Sequence, residues 1–173
     1  MPARLSRRTL LIAGACLLAG CGFHLRGTSG AGGAALPEAW KSLFLVNANP
    51  NSELTREVQS AFTANGIQWL PKDKANFQLV LGPERFQQTN LALNAEARVS
   101  EYELEMLVKF SVLDGKGAVV MPETDASVLR QMENDPRNPQ GKADEVRILR
   151  GEMRVELAQQ VVRRVRFFAT RTP

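Results

Sequence analysis

Apolar side chains recur at every second position from Tyr102 to Val112, and this pattern constrains the fold of the chain more than any other feature. Its apolar positions are Tyr102, Leu104, Met106, Val108, Phe110 and Val112. Because successive side chains of a strand point to opposite faces, the pattern predicts a strand with one buried and one wet face. Asp114 to Gly117 predicts a turn, and a return strand begins at Ala118. We expect that strand to pass Pro122 towards Leu129, with the proline marking an edge or a bulge.

Shorter patterns predict the elements on the N-terminal side of this hairpin. Lys41 to Val46 is an apolar run that predicts a buried strand. Ser52 is a candidate N-cap for a helix over about 52–65, which ends at Gly66. Residues 67–70 and 77–81 are extended candidates. A strand, helix, strand order predicts a right-handed crossover between parallel strands.

The last element is an amphipathic helix over about 143–168, preceded by a Pro- and Asn-rich loop from Glu133 to Gly141. One helical face carries Val146, Leu149, Met153, Leu157, Val161 and Val165. Acidic residues stand near its start, and Arg163, Arg164 and Arg166 stand near its end, as the helix dipole favours. We interpret these arginines as solvated charge at the helix end, with an anionic-ligand site as the alternative.

Together these elements predict an α+β fold, a two-layer sandwich. We expect a mixed sheet of about four strands, with two helices packed on one of its faces.

The N-terminus predicts export. A basic start containing Arg4, Arg7 and Arg8 is followed by a short apolar stretch that ends in small residues before Cys21. The stretch from Leu10 to Ala19 rises only about 15 Å as a helix, half of a bilayer core. Leu18-Ala19-Gly20-Cys21 resembles the lipobox of bacterial lipoproteins, which implies cleavage before Cys21 and acylation of that residue.

The resulting division is a signal peptide (1–20), a lipidated N-terminus and flexible linker (21–36) and one domain (37–173). Gly22, rather than Asp, resembles the outer-membrane sorting pattern of such lipoproteins. Export through either the general secretory or the twin-arginine route is open, since Arg7 and Arg8 are paired.

Composition argues against several other functions. Removing residues 1–20 takes away three arginines and no acid, which leaves 19 basic against 18 acidic residues, so net charge does not predict nucleic-acid binding. The one histidine, His24, lies close to the proposed acylated cysteine, where nothing positions it as a base or metal ligand. Cys21 would be acylated and Cys16 removed, which leaves no free thiol. We expect no enzyme activity, cofactor or metal site.

Several of these features together resemble the LptE family of lipopolysaccharide-assembly lipoproteins. They are the stretch Cys21-Gly-Phe-His-Leu-Arg26, the pair Glu101-Tyr102 that opens the best strand, the loop with Asp135-Pro136 and Asn138-Pro139, and the final basic helix. The resemblance implies a protein on the periplasmic side of the outer membrane. Its body would plug the lumen of the LptD barrel in a 1:1 complex, help that barrel assemble and help deliver lipopolysaccharide to the outer leaflet.

The resemblance also implies lipopolysaccharide binding through basic residues near one end of the sheet. Lys142 falls where the family has such a base, and Arg98 lies near a second such position without aligning with it. Ordinary surface charge is the alternative for both. Two other functions stay open: an envelope-binding or scaffolding lipoprotein with no barrel partner, and a hydrolase using Glu101, Glu103 and Glu105.

The anchor assignment makes a direct prediction. Cys21→Ala removes the only thiol that could accept a lipid at the cleavage site, so we expect an uncleaved or unacylated protein. Metabolic labelling with an acyl-chain precursor, followed by mass measurement, checks this. Continued acyl labelling of the variant would refute the assignment.

Overall fold

The computed structural model describes residues 36–134 and 139–171. A single 3-10 turn, Glu38–Lys41, precedes the first strand. The strands are β1 (Ser42–Asn47), β2 (Gln68–Trp69), β3 (Phe77–Leu81), β4 (Arg85–Leu93), β5 (Val99–Asp114) and β6 (Val119–Glu133). The helices are α1 (Glu53–Ala64), between β1 and β2, and α2 (Pro139–Ala169), after β6.

All six strands form one mixed sheet. β1 pairs in parallel with both β2 and β3, which confirms the predicted parallel crossover through α1. β3, β4 and β6 pair antiparallel with β5. β3 lies along the C-terminal part of β5 and β4 along its N-terminal part, so these two strands follow one another on the same edge while β6 occupies the other edge.

A glycine allows β3 and β4 to share that edge. The Gly82 N–H donates to the Lys109 carbonyl at 2.8 Å between the two strands. A Cβ at residue 82 would lie 3.0 Å from the same oxygen, closer than side-chain carbons ordinarily come. A residue without a side chain is therefore needed where the paired chain steps from β3 towards β4.

The core lies between one face of the sheet and the two helices, as predicted for a two-layer α+β fold. The apolar residues of β5 from Leu104 to Val112 are fully buried at every second position. From α1, the predicted face is buried at Leu54, Val58, Ala61 and Phe62. From α2, Met153, Leu157, Val161 and Val165 are fully buried, whereas Val146 and Leu149 are only half-buried.

Three features differ from the sequence prediction. The sheet has six strands rather than about four: β2 lies within the extended candidate 67–70, and β4 was not predicted. β4 is rich in Gln, Thr and Asn and mostly exposed, so it has no apolar alternation, and pairing with β5 determines its conformation. α2 begins at Pro139, within the segment predicted as a loop, since proline is well tolerated in a first helical turn.

The predicted hairpin is present between β5 and β6. The Asp114 carboxylate accepts hydrogen bonds from the backbone N–H groups of Lys116 and Ala118, each at 2.8 Å, and Gly117 takes a φ of +90°. β6 continues past Pro122, where the register shifts between the pairs Phe110–Thr124 and Val112–Met121. Pro122 thus lies in a bulge on a strand that is also an edge of the sheet, which confirms both readings.

A cluster of charges joins the two helices to the β3–β4 connection. Arg154 of α2 donates from Nε and Nη2 to the two carboxylate oxygens of Glu84, at 2.8 and 3.0 Å, and from Nη1 to Glu53 of α1. The side chains of Arg154 and Glu84 are only 13% and 15% exposed. Hydrogen bonding to Glu84 raises the pKa of Arg154 despite its partial burial. Arg154 is therefore charged at any physiological pH and holds three elements together.

Removing this arginine should destabilise the domain. Arg154→Met leaves Glu84 little exposed and without its bidentate partner, so we expect the free energy of unfolding to fall by about 2–3 kcal/mol, somewhat less than for a fully buried pair. Urea unfolding followed by circular dichroism measures this.

Arg147→Met on the same helix is the matched control. The Arg147 side chain is 75% exposed and, among the described residues, pairs only with Asp144, so its loss should change stability by less than about 0.5 kcal/mol. Equal effects from the two substitutions would contradict the structural role given to Arg154.

Candidate functional site

Lys142 lies at the end of the sheet where β5 begins and β6 ends. It is in the first turns of α2, and its Nζ stands 3.3 Å from the centre of the Tyr102 ring of β5. The same Nζ donates to Oδ1 of Asn134, which follows β6 directly. The ammonium group is therefore held by an aromatic face and one amide oxygen, and its half-buried stem gives it a defined position.

Asn134 is itself fixed to the start of β5. Its side-chain amide donates to the Val99 carbonyl at 2.6 Å, and its backbone N–H donates to the Ser100 carbonyl at 2.7 Å. With both of these donors bonded to β5, the Oδ1 atom is directed to Lys142. Asn134 thus connects the ends of the two long strands to the beginning of α2.

Arg98 lies at the same end of the sheet, one residue before β5. It belongs to the β4–β5 turn, where Asn94 Oδ1 accepts from the N–H groups of Glu96 and Arg98 at 3.1 and 2.9 Å. Ala97 has a φ of +58°, in the left-handed region that residues with a Cβ rarely adopt. The turn brings Arg98, which is exposed, to the end of the strand pair that Asn134 closes.

Carboxylates dominate the surface around Lys142. A depression of about 530 Å³ is lined by Ser100, Glu101, Glu133, Asn134 and Glu145. Glu101 and Glu133 are direct cross-strand partners, an arrangement of like charges that disfavours pairing. An anion approaching Lys142 is repelled from this side, so Lys142 and Arg98 supply the attraction that an anionic ligand would need at this end.

Two residues of this site were missed by the sequence prediction of binding residues. Tyr102 was predicted as the start of the buried face, yet it is half-buried and lies beneath the Lys142 ammonium. Asn134 was placed in an unstructured loop. The available signal was the aromatic residue at the end of an apolar alternation, because an amphipathic ring at a core boundary commonly presents one face to solvent.

The strand face proposed for a hydrolase lies along β5, beside β6. Glu101, Glu103 and Glu105 lie opposite Glu133, Gln131 and Leu129 on β6. In residues 36–134 and 139–171 no cluster of three or more histidine, cysteine or acidic side chains could hold a metal ion. These carboxylates therefore form an acidic strand face.

A second depression, of about 450 Å³, lies beside the Arg154 cluster at the start of α1. Its charged lining residues are Glu53, Glu84 and Arg154, which already pair with one another. The remaining lining is largely polar loop and helix-start residues, such as Asn49, Asn51 and Thr55. The Thr55 hydroxyl is also satisfied internally, since it donates to the Asn49 carbonyl at 3.0 Å. Arg150, whose Nη2 lies 3.7 Å from Glu84, balances the second carboxylate, so the carboxylates of this depression are all paired.

The proposed lipid-attachment residue, Cys21, and the signal segment lie outside the described residues. Among the helices that are described, none combines the length and the apolar character needed to cross a bilayer.

Comparison with known proteins identifies relatives along most of the chain. Residues 40–165 match the family model "LptE: Lipopolysaccharide-assembly". The chain is 30% identical over 162 residues to the LPS-assembly lipoprotein LptE of Yersinia pestis (strain Pestoides F), an alignment that covers 91% of this chain and 74% of that protein. The same identity and coverage hold for its counterpart in Yersinia pseudotuberculosis serotype O:1b.

Solved structures show the same fold. Rare lipoprotein B from Shewanella oneidensis is 27% identical with a TM-score of 0.63, covering 71% of this chain and 92% of that one. Lipoprotein B from Nitrosomonas europaea has a TM-score of 0.70 at 18% identity, covering 81% and 90%, and supports the fold alone. The family model spans the sheet and most of α2, and it includes Arg98, Tyr102 and Lys142. This chain belongs to the LptE family of lipopolysaccharide-assembly lipoproteins.

Proposed function

We propose that this protein is acylated at Cys21, is held on the periplasmic face of the outer membrane and plugs the lumen of an LptD barrel. It assists assembly of that barrel and delivery of lipopolysaccharide to the outer leaflet, and it does so without catalysing a reaction. The observation that carries the proposal is membership of the LptE family across residues 40–165.

The surface of the sheet is compatible with a plug. The face of β5 that points away from the core carries Glu103, Glu105 and Lys109 together with Leu107, and the exposed strand β4 extends it mostly with Gln, Thr and Asn side chains. The lumen of a membrane barrel is polar and wet. A body with its own core and a polar outer face can occupy such a lumen without burying unpaired charges.

Lys142 and Arg98 are the proposed contacts with the phosphates of lipopolysaccharide. Lys142 is preorganised by Tyr102 and Asn134, so little side-chain freedom is lost when it meets an anion. The acidic wall formed by Glu101, Glu133 and Glu145 disfavours anions on its own side. Binding at this end should therefore be of moderate strength and sensitive to salt.

Co-purification tests the partner. The chain with a C-terminal tag is extracted from envelopes in mild detergent, and the retained proteins are identified and quantified by mass spectrometry. We expect an integral outer-membrane barrel in a 1:1 ratio that survives washing.

Recovery of the protein without a barrel would distinguish the plug from the envelope-binding alternative. An acylated protein recovered without any barrel would overturn the plug proposal and favour an envelope-binding or scaffolding lipoprotein. Depletion of the protein gives an independent readout, because the proposal requires lower barrel levels and less lipopolysaccharide at the cell surface.

Substitution of Lys142 tests the ligand site. Lys142→Glu reverses the charge next to three carboxylates, so we expect affinity for lipopolysaccharide to fall about tenfold or more, in line with loss of a charge-assisted hydrogen bond of about 1.5–3 kcal/mol. Barrel association should be unchanged. Binding to immobilised lipopolysaccharide at one fixed ionic strength measures the effect.

Lys116→Glu is the matched control, with the same charge change in the exposed turn at the far end of the β5–β6 hairpin. Lys142→Met keeps an apolar stem over Tyr102 and removes only the charge. If Lys142→Glu and Lys116→Glu bind lipopolysaccharide equally well, Lys142 is ordinary surface charge and its proposed role is wrong.

A further inference from the structure

An apolar groove lies between β6 and the C-terminal end of α2. It has a volume of about 370 Å³ and is lined by Met121 and Thr124 of β6 and by Arg163, Arg164, Phe167 and Phe168 of α2. Phe167 is 57% exposed, a large fraction for an aromatic residue, and the Arg171 guanidinium lies 3.8 Å from its ring centre. The volume is at the lower end of the ~300–1,000 Å³ typical of small-molecule sites.

Two unpaired cations flank this groove. Arg147, Arg150 and Arg154 of α2 each have a carboxylate partner. Arg166 donates to Oδ1 of Asn65. Within residues 36–134 and 139–171, by contrast, Arg163 and Arg164 have neither an ion pair nor a hydrogen-bonded partner, and both are exposed.

This groove is far from the site at Lys142. Phe167 follows Lys142 by 25 residues in one continuous helix, which corresponds to about 37 Å at 1.5 Å per residue. A molecule bound at one site therefore does not touch the other.

The chemistry of the walls suits an acyl chain that carries an anionic headgroup. The Thr124 hydroxyl donates to the Pro122 carbonyl at 3.0 Å, and the charged groups that line the groove are the guanidiniums of Arg163 and Arg164. An acyl chain brings no polar group, and an anionic headgroup at its end complements two guanidiniums.

The groove also lies near the beginning of the described chain. The Trp40 ring meets Phe168 edge-on, with ring centres 6.1 Å apart, and Leu36 is buried in the same core. Cys21 precedes Leu36 by 15 residues, which span at most about 50 Å. If Cys21 is acylated as proposed, Leu36 lies within that distance of the membrane anchor. This step of the argument rests on the proposed function.

We propose that this groove binds one acyl chain of an anionic phospholipid, with its phosphate on Arg163 and Arg164. The site is distinct from the lipopolysaccharide contacts at Lys142. It would give the protein a second, noncovalent hold on the lipid of the leaflet to which it is anchored.

Native mass spectrometry tests the proposal on the mature chain purified in nonionic detergent with added phosphatidylglycerol. We expect one retained lipid per protein, and retention of phosphatidylcholine to be at least about tenfold weaker, since it carries no net charge. Arg163→Glu combined with Arg164→Glu should reduce phosphatidylglycerol binding by about tenfold or more. Arg147→Glu and Lys142→Glu should leave it unchanged.

Trp40 reports where the lipid binds. In a Trp69→Phe variant, Trp40 is the one remaining indole, and phosphatidylglycerol brominated on its acyl chain should quench it because the chain lies against Phe168. Phe167→Ala should weaken quenching, whereas Ile148→Ala, an equally exposed position (56%) on α2, should not. If Trp69→Phe impairs folding, shifts of the Met121 methyl signal in the unsubstituted chain provide the same readout.

Four results would overturn the proposal. They are no retained lipid, equal retention of the choline and glycerol lipids, unchanged binding after both arginine substitutions, and self-association through Phe167 with no quenching of Trp40. Because the Lys142 variants test lipopolysaccharide binding separately, failure here leaves the proposed function intact, and the reverse also holds.

Discussion

β5 is the strand on which the rest of the sheet depends. It pairs with β3 and β4 along one edge and with β6 along the other, and its alternate residues from Leu104 to Val112 form the buried floor against which α2 packs, with α1 packed in turn against α2. Since the side-chain period of a strand is two, a shift by one residue would expose this floor and bury Glu103, Glu105 and Lys109. The register of the sheet is strongly constrained for that reason.

The two candidate sites lie at opposite ends of the β5–β6 pair. β5 and β6 are much longer than β1 and β3, so their ends reach past the central core. At one end Asn134 joins the strands and holds Lys142 over Tyr102. At the other end β6 and the last turns of α2 leave the groove beside Phe167. One strand pair thus positions two cationic sites with different surroundings, one acidic and aromatic, the other apolar.

The arginines of α2 differ in whether a carboxylate pairs with them. Arg154 is bonded to Glu84 and Glu53 and joins both helices to the β3–β4 connection. Arg163 and Arg164 have no such partners among the described residues. All three are basic residues on the same amphipathic helix, so the sequence pattern does not distinguish the paired arginine from the two unpaired ones. Glu84, the residue that separates Arg154 from the rest, is distant in the chain and could not be connected with Arg154 from the sequence.

The elements with strong local signals could be predicted from neighbouring residues alone. These are the alternation of β5, the turn at Asp114 to Gly117, the α1 face ending at Gly66, the buried face of α2 from Met153 onwards, and the α+β class. Their hydrophobic period is a property of neighbouring residues. β4 and the sites at Tyr102, Asn134 and Phe167 depend instead on tertiary contacts; the polar chain of β4, for example, is extended because β5 offers it hydrogen bonds. These depend on which surfaces meet, and long-range contacts leave no periodic trace in a sequence.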